Sequence, residues 1–169
     1  MNRKDKEAIQ EHYFYLLPKL FEEFNQSLPD YDRRFGGFFC LLGVWQPETP
    51  ILIQQVGEQP EEKRINSFGF CQEKAQRLAR NPDHCSSWQS RNVALRHYGG
   101  AIRCGEYIIS FSGLPELGDE AMMLLSLQPE RWIATSVKDL PAPAYLQRIA
   151  GISGSHLYLS PTAWPPLPA

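Results

Sequence analysis

The chain has 169 residues, of which 43% are hydrophobic, so it is long and apolar enough to form one domain with its own core. Its formal net charge of −2 leaves no excess of basic residues to neutralise phosphates, and nucleic acid is therefore not an expected partner. No run of about 20 apolar residues predicts a membrane-spanning helix, and the N-terminus lacks the apolar segment of a signal peptide. We expect residues 1–169 to form a single cytoplasmic domain with no membrane association.

The first half of the chain predicts a helix followed by two strands. Apolar residues recur at helical spacing over residues 6–28, although Pro18 is expected to kink this helix or divide it in two. The run FFCLLGVW, residues 38–45, is apolar at nearly every position, which is typical of a strand covered on both faces. The short turn QPETP then leads into the strand ILIQQV, residues 51–56, and predicts an antiparallel hairpin.

A second helix is predicted over residues 61–80. Gly69 lies inside it and should weaken it by about 1 kcal/mol relative to alanine. One stripe of this helix is predicted to face the core, and its members are Ile65, Phe68, Cys71, Ala75 and Leu78.

A second hairpin and a third helix follow. The strands AIRC and YIISFS, residues 101–104 and 107–112, are joined by Gly105 and Glu106, and glycine at the first turn position favours a type II′ turn. The next helix is predicted to begin near Asp119. The element order α–β–β–α–β–β–α implies an α/β (α+β) fold, in which helices pack on a mostly antiparallel sheet.

The last part of the chain has weaker patterns. The segment PERWIATSV is compatible with a helix or a strand, and a short helix is expected around residues 145–149. Residues 157–169 form a proline-rich tail, whose prolines exclude a regular central strand.

The stretch GGAIRCGEYIISFSGLPELGDEAMML, which begins at Gly99, carries the candidate site. Its features suit folding alone, because Gly113 permits a sharp turn, Asp119 can cap the helix and Glu120 suits the positive end of the helix dipole. They also suit ligand binding, since two adjacent glycines before a strand let a ligand or another backbone come close. Together with Glu116, Asp119 and Glu120 could perform acid–base chemistry, although such residues more often serve as solvated helix caps.

This stretch resembles the signature of the GlcG/HbpS-like family, whose members are described as haem-binding or haem-degrading. The shared features are the Gly-Gly pair before a strand, the strand that ends in Ser-Gly, and the Asp-Glu pair that opens a helix. Upstream, EKAQRLA resembles the family's Lys-Ala helix, with Lys74 and Ala75 in the matching places. The resemblance implies a profilin-like sandwich that assembles into a homo-oligomer.

Haem is the cofactor that this resemblance implies, and His97 is the best-placed axial ligand because it lies two residues before the glycine pair. The leading hypothesis is therefore non-catalytic binding of a small planar ligand, such as haem or a related tetrapyrrole. The alternatives are an enzyme that degrades haem oxidatively and a protein-interaction scaffold without a ligand. The candidate ligand-binding residues are His97, Gly99, Gly100, Ser112, Gly113 and Asp119.

No separate metal site and no catalytic residue are predicted. Asp83, His84 and Cys85 could each bind a metal, but adjacent residues of an extended chain point to opposite sides and seldom share one ion. Ser112 precedes a glycine but lacks the Gly-x-Ser-x-Gly elbow of serine hydrolases.

Overall fold

A computed structural model describes residues 3–27 and 30–126 of the chain. The predicted segments beyond these residues, including the short helix at 145–149 and the tail at 157–169, lie outside the described part. The helices and strands in chain order are α1 (Arg3–Ser27), β1 (Gly36–Gly43), β2 (Leu52–Gly57), α2 (Glu61–Ala79), β3 (Ala101–Cys104), β4 (Tyr107–Ser112) and α3 (Glu116–Ser126). Short 3-10 turns lie at Asp30–Asp32, Ser87–Ser90 and Val93–Leu95.

The four strands form one sheet in the order β2-β1-β4-β3, and every neighbouring pair is antiparallel. Both predicted hairpins are confirmed. Gly105 has a φ of +61° at the turn between β3 and β4, a conformation that glycine adopts without steric penalty. The predicted α+β class is thus confirmed, while the closer likeness to a profilin fold stays a prediction.

Helices cover both faces of the sheet. On one face, α1 and α3 pack on alternate residues of the central strands, such as Phe39, Leu41 and Phe111. On the other face, α2 packs on the intervening residues, such as Cys40 and Ile108. Every residue of β1 is buried, as its apolar sequence predicts.

Helix α1 continues through Pro18, so of the two expected outcomes the division into two helices is wrong, and a kink at Pro18 stays a prediction. Proline removes one backbone donor from a helix interior, which weakens that turn. The residues around it offset the loss, because Leu17, Leu20 and Phe24 are completely or almost completely buried against the sheet and α3.

Helix α2 is confirmed, but its buried stripe differs from the prediction at the N-terminal end. Cys71, Ala75 and Leu78 are fully buried, whereas Ile65 is 62% exposed and Phe68 is 43% exposed. The first turns of α2 therefore present apolar side chains to solvent. Among the described residues, no helix is both long enough and apolar enough to cross a membrane.

Candidate functional site

A buried ion pair joins the two helices that cover opposite faces of the sheet. The ammonium Nζ of Lys74 on α2 lies 2.8 Å from Oδ2 of Asp119 on α3, and it also donates to the carbonyl of Phe111 at 2.9 Å. The two side chains are only 2% and 4% exposed. Lys74 and Asp119 are therefore part of the protein's interior.

Asp119 organises the turn between β4 and α3. Its second oxygen, Oδ1, accepts hydrogen bonds from the backbone N–H groups of Gly113 at 3.1 Å and Leu114 at 2.8 Å. The helix begins at Glu116, three residues before the predicted start near Asp119, and the prediction that Asp119 caps it is wrong. Asp119 lies within the first helical turn, and its carboxylate stabilises the loop that precedes the helix.

Glu120 is fully buried next to this ion pair. Its Oε1 accepts a hydrogen bond from the Ser86 hydroxyl, and among the described residues no group donates to Oε2. Burial raises the pKa of Glu120 to about 8 and that of Asp119 to about 6, with Lys74 opposing both shifts. At neutral pH, Glu120 is thus mainly a neutral acid and Asp119 mainly an anion, and the expectation that both are solvated caps is wrong.

The paired glycines make room for the protein's own side chains. A Cβ on Gly99 would lie 2.6 Å from Oε2 of Glu120 and 2.5 Å from the Trp88 ring. A Cβ on Gly100, where φ is +117°, would lie 2.8 Å from Nζ of Lys74. The close approach predicted at these glycines is therefore made by groups of the same chain.

The six predicted site residues fall into two places. The interior positions are Gly99, Gly100, Ser112, Gly113 and Asp119, where Ser112 is 7% exposed and a Cβ on Gly113 would lie 2.4 Å from the Gly36 carbonyl. His97 lies instead at the surface, with a side chain that is 34% exposed.

His97 borders a depression that we call the α2 groove, between the outer face of α2 and residues 92–98. The groove consists of two cavities of about 440 and 320 Å³, and both are lined by Gly69, Glu73 and His97. The larger cavity extends along the C-terminal half of α2 and is lined mainly by polar side chains. The smaller one extends toward the N-terminal end and includes Ile65 and Leu95.

Gly69 is the floor of this groove. It lies in the interior of α2 on the exposed side, and a Cβ added to it would meet no atom within 4 Å. A glycine at such a position costs about 1 kcal/mol relative to alanine. Because none of the described residues packs against it, this local loss of stability has no explanation in the fold, and the space above Gly69 is open to an external group.

The groove holds His97 in a fixed position. Asn92 and His97 exchange two backbone hydrogen bonds of 2.9 Å, which close the loop between them. The imidazole Nε2 lies 3.7 Å from Oε1 of Glu73, and Glu73 is itself bound by Arg77 at 2.6 Å. The side chain is therefore oriented yet accessible, as a ligand-binding histidine needs to be.

The sequence pattern identified His97 but missed the groove itself. Gly69 was a signal, since a glycine in an otherwise regular helix has either a packing or a functional reason. Among the described residues, no group of three or more His, Cys, Asp or Glu side chains lies close enough together to hold a metal ion.

Comparisons of the chain with protein-family models, with curated protein sequences and with solved structures found no match.

Proposed function

We propose that this protein binds a small planar ligand, such as haem or a related tetrapyrrole, in the α2 groove, and that it does so without catalysing a reaction. The observation that carries the proposal is the exposed Gly69. A flat ring can lie against a helix only where side chains do not hold it away, and Gly69 supplies such a place beside an oriented histidine.

The residues of the groove fit the main chemical features of haem. The His97 imidazole can supply an axial nitrogen to iron. The exposed side chains of Ile65 and Leu95 offer apolar contacts to the edge of a macrocycle. Arg96 borders the groove and offers a cation to a peripheral carboxylate.

The test is a haem titration of the purified protein followed by visible absorption. We expect a sharp Soret band in the wild-type protein, which Gly69→Gln abolishes by filling the groove and His97→Ala weakens or shifts by removing the axial ligand. His12→Ala and Ala8→Gln are matched controls, because both change exposed positions of α1 and should leave the band intact. Equal bands in the wild type, Gly69→Gln and His97→Ala would contradict the proposal.

The haem-loaded protein also distinguishes non-catalytic binding from the enzymatic alternative. Ascorbate and oxygen are added to the haem-loaded protein, and the band is followed against free haem. Non-catalytic binding predicts bleaching no faster than that of free haem. Faster bleaching that depends on Gly69 would instead indicate oxidative haem degradation in the same groove.

A second candidate function is a contact surface for another protein chain, including a second copy of this one. It is favoured by three exposed apolar residues beside the groove, which are Ile65 at 62%, Val93 at 51% and Leu95 at 62%. Light scattering of the wild-type protein and of Gly69→Gln tests it. A homo-oligomer that the substitution dissociates would support this surface, and an unchanged mass would argue against it.

A further inference from the structure

Arg96 has an unusual backbone conformation at the edge of the α2 groove. Its φ is +57°, and it is the only non-glycine residue with a positive φ among the described residues. The left-handed region is unfavourable for residues with a Cβ, whereas glycine occupies it freely. The turn that follows Val93–Leu95 would therefore be more stable with glycine at this position. A role of the Arg96 side chain would explain its presence.

The Arg96 guanidinium is the cation of the groove that has no carboxylate partner in the described part of the chain. Arg77 is bound by Glu73 and by the carbonyls of Ser87 and Tyr98. Arg80 pairs with Glu48 at 3.1 Å.

The guanidinium carbon of Arg96 instead lies 5.0 Å from the centre of the Phe70 ring. A contact with a ring face holds the cation in place but leaves N–H donors for another acceptor.

We propose that Arg96 binds a carboxylate of the ligand, so that the groove selects planar molecules with peripheral carboxylates over their uncharged counterparts. This inference rests on the proposed function, because it concerns the same groove. Arg96 and His97 are consecutive and belong to the loop that Asn92 closes. One loop thus presents a cation and an imidazole together, while Phe70 supports the guanidinium from below.

The test compares mesoporphyrin IX, which carries two carboxylates, with its dimethyl ester, which has the same ring and no charge. Binding is measured by porphyrin fluorescence. We expect the wild-type protein to bind the diacid at least about tenfold more tightly than the ester, a ratio typical of a charge-assisted hydrogen bond. In Arg96→Gln the ratio should fall close to one through weaker binding of the diacid. Arg64→Gln is the matched control, since it removes an exposed arginine of α2 that lines neither cavity.

Arg96→Gly keeps the test independent of folding. Glycine relieves the left-handed strain, so this variant should unfold at the same temperature as the wild type or higher, and yet should lose the preference for the diacid. A ratio that Arg96→Gln and Arg96→Gly leave unchanged would overturn the inference. Equal binding of both porphyrins to the wild type would also overturn it but would leave the proposed function standing. Binding of neither would overturn it too, and the haem titration then decides the proposed function separately, because these porphyrins lack the iron that His97 would bind.

Discussion

Replacing Glu120 by glutamine should stabilise the protein at alkaline pH. In the folded state its carboxyl has a pKa of about 8 because it is buried, against an ordinary value of 4.5 in the unfolded chain. Between these two values the folded state keeps a proton that the unfolded state has released. Glu120 therefore contributes stability at low pH that is progressively lost as the pH rises toward 8.

The size of the effect follows from the shift. One pKa unit corresponds to about 1.4 kcal/mol, so the rise from pH 6 to pH 8 should lower the free energy of unfolding by roughly 3 kcal/mol. Glu120 is 0% exposed, so water does not stabilise its charged form, and the pKa shift is not reduced by solvent screening. Glutamine has the same shape, can still bond to Ser86 and does not ionise. The pKa of Asp119 lies near 6, so its own contribution changes mostly below this window.

The assay is urea unfolding followed by circular dichroism at pH 6, 7, 8 and 9. The wild-type protein should lose about 3 kcal/mol over this range, and Glu120→Gln should lose much less. Glu62→Gln serves as a control, because it changes an exposed acid of α2 and should follow the wild type. A wild-type stability that is flat from pH 6 to 9, or a Glu120→Gln profile parallel to it, would refute the assignment of Glu120 as a buried neutral acid.

Three further substitutions, two of them paired with a comparison variant, test the groove, the glycine pair and the buried ion pair. Gly69→Ala should raise the free energy of unfolding by about 1 kcal/mol in thermal denaturation, because the glycine has no packing role in the described structure. It should also weaken haem binding. A lower stability of this variant would contradict the prediction. Gly100→Ala should lower the free energy of unfolding by about 2–4 kcal/mol. The new Cβ would lie 2.8 Å from Nζ of Lys74, on a residue whose φ is +117°. Gly105→Ala, with a φ of +61° and open space around it, should cost less; equal losses at the two glycines would contradict the crowding argument. Lys74→Met should lower the free energy of unfolding by about 3–5 kcal/mol in urea titrations, because it leaves Asp119 buried without its cation. Adding Asp119→Asn should recover part of the loss, and additive losses would argue against the pair.

The strands could be predicted from the sequence because burial determines which positions are apolar. A strand buried on both faces is apolar at most positions, and a strand buried on one face alternates apolar and polar residues. The continuous apolar run around Cys40 matches a strand that is buried at every position. Strand β4 is likewise buried from Ile108 to Ser112, although Ser110 and Ser112 are polar. The N-terminal end of α2 could not be predicted equally well. Ile65 was predicted to face the core, but it lies on the outer side of α2, where it is 62% exposed and lines the groove with Gly69.

The role of the glycine pair depends on contacts that are distant in sequence. Gly99 and Gly100 look equally suited to a ligand and to a side chain of the same protein. Only the fold brings Lys74, 26 positions before Gly100, and Asp119 to this place, where they fill the space. An Asp-Glu pair near a helix start is normally solvated. Here both residues are buried because α3 packs against the sheet.

The most direct test of the central claim, that a ligand binds in the α2 groove, is hydrogen–deuterium exchange with and without haem. Binding in the groove predicts slower exchange in peptides that span residues 92–98, whose loop borders the groove, and no change in those that cover β1 and β2. Protection confined to residues 99–113, with none in the loop or in α2, would contradict binding in the α2 groove and would indicate that the ligand binds at the buried glycine pair.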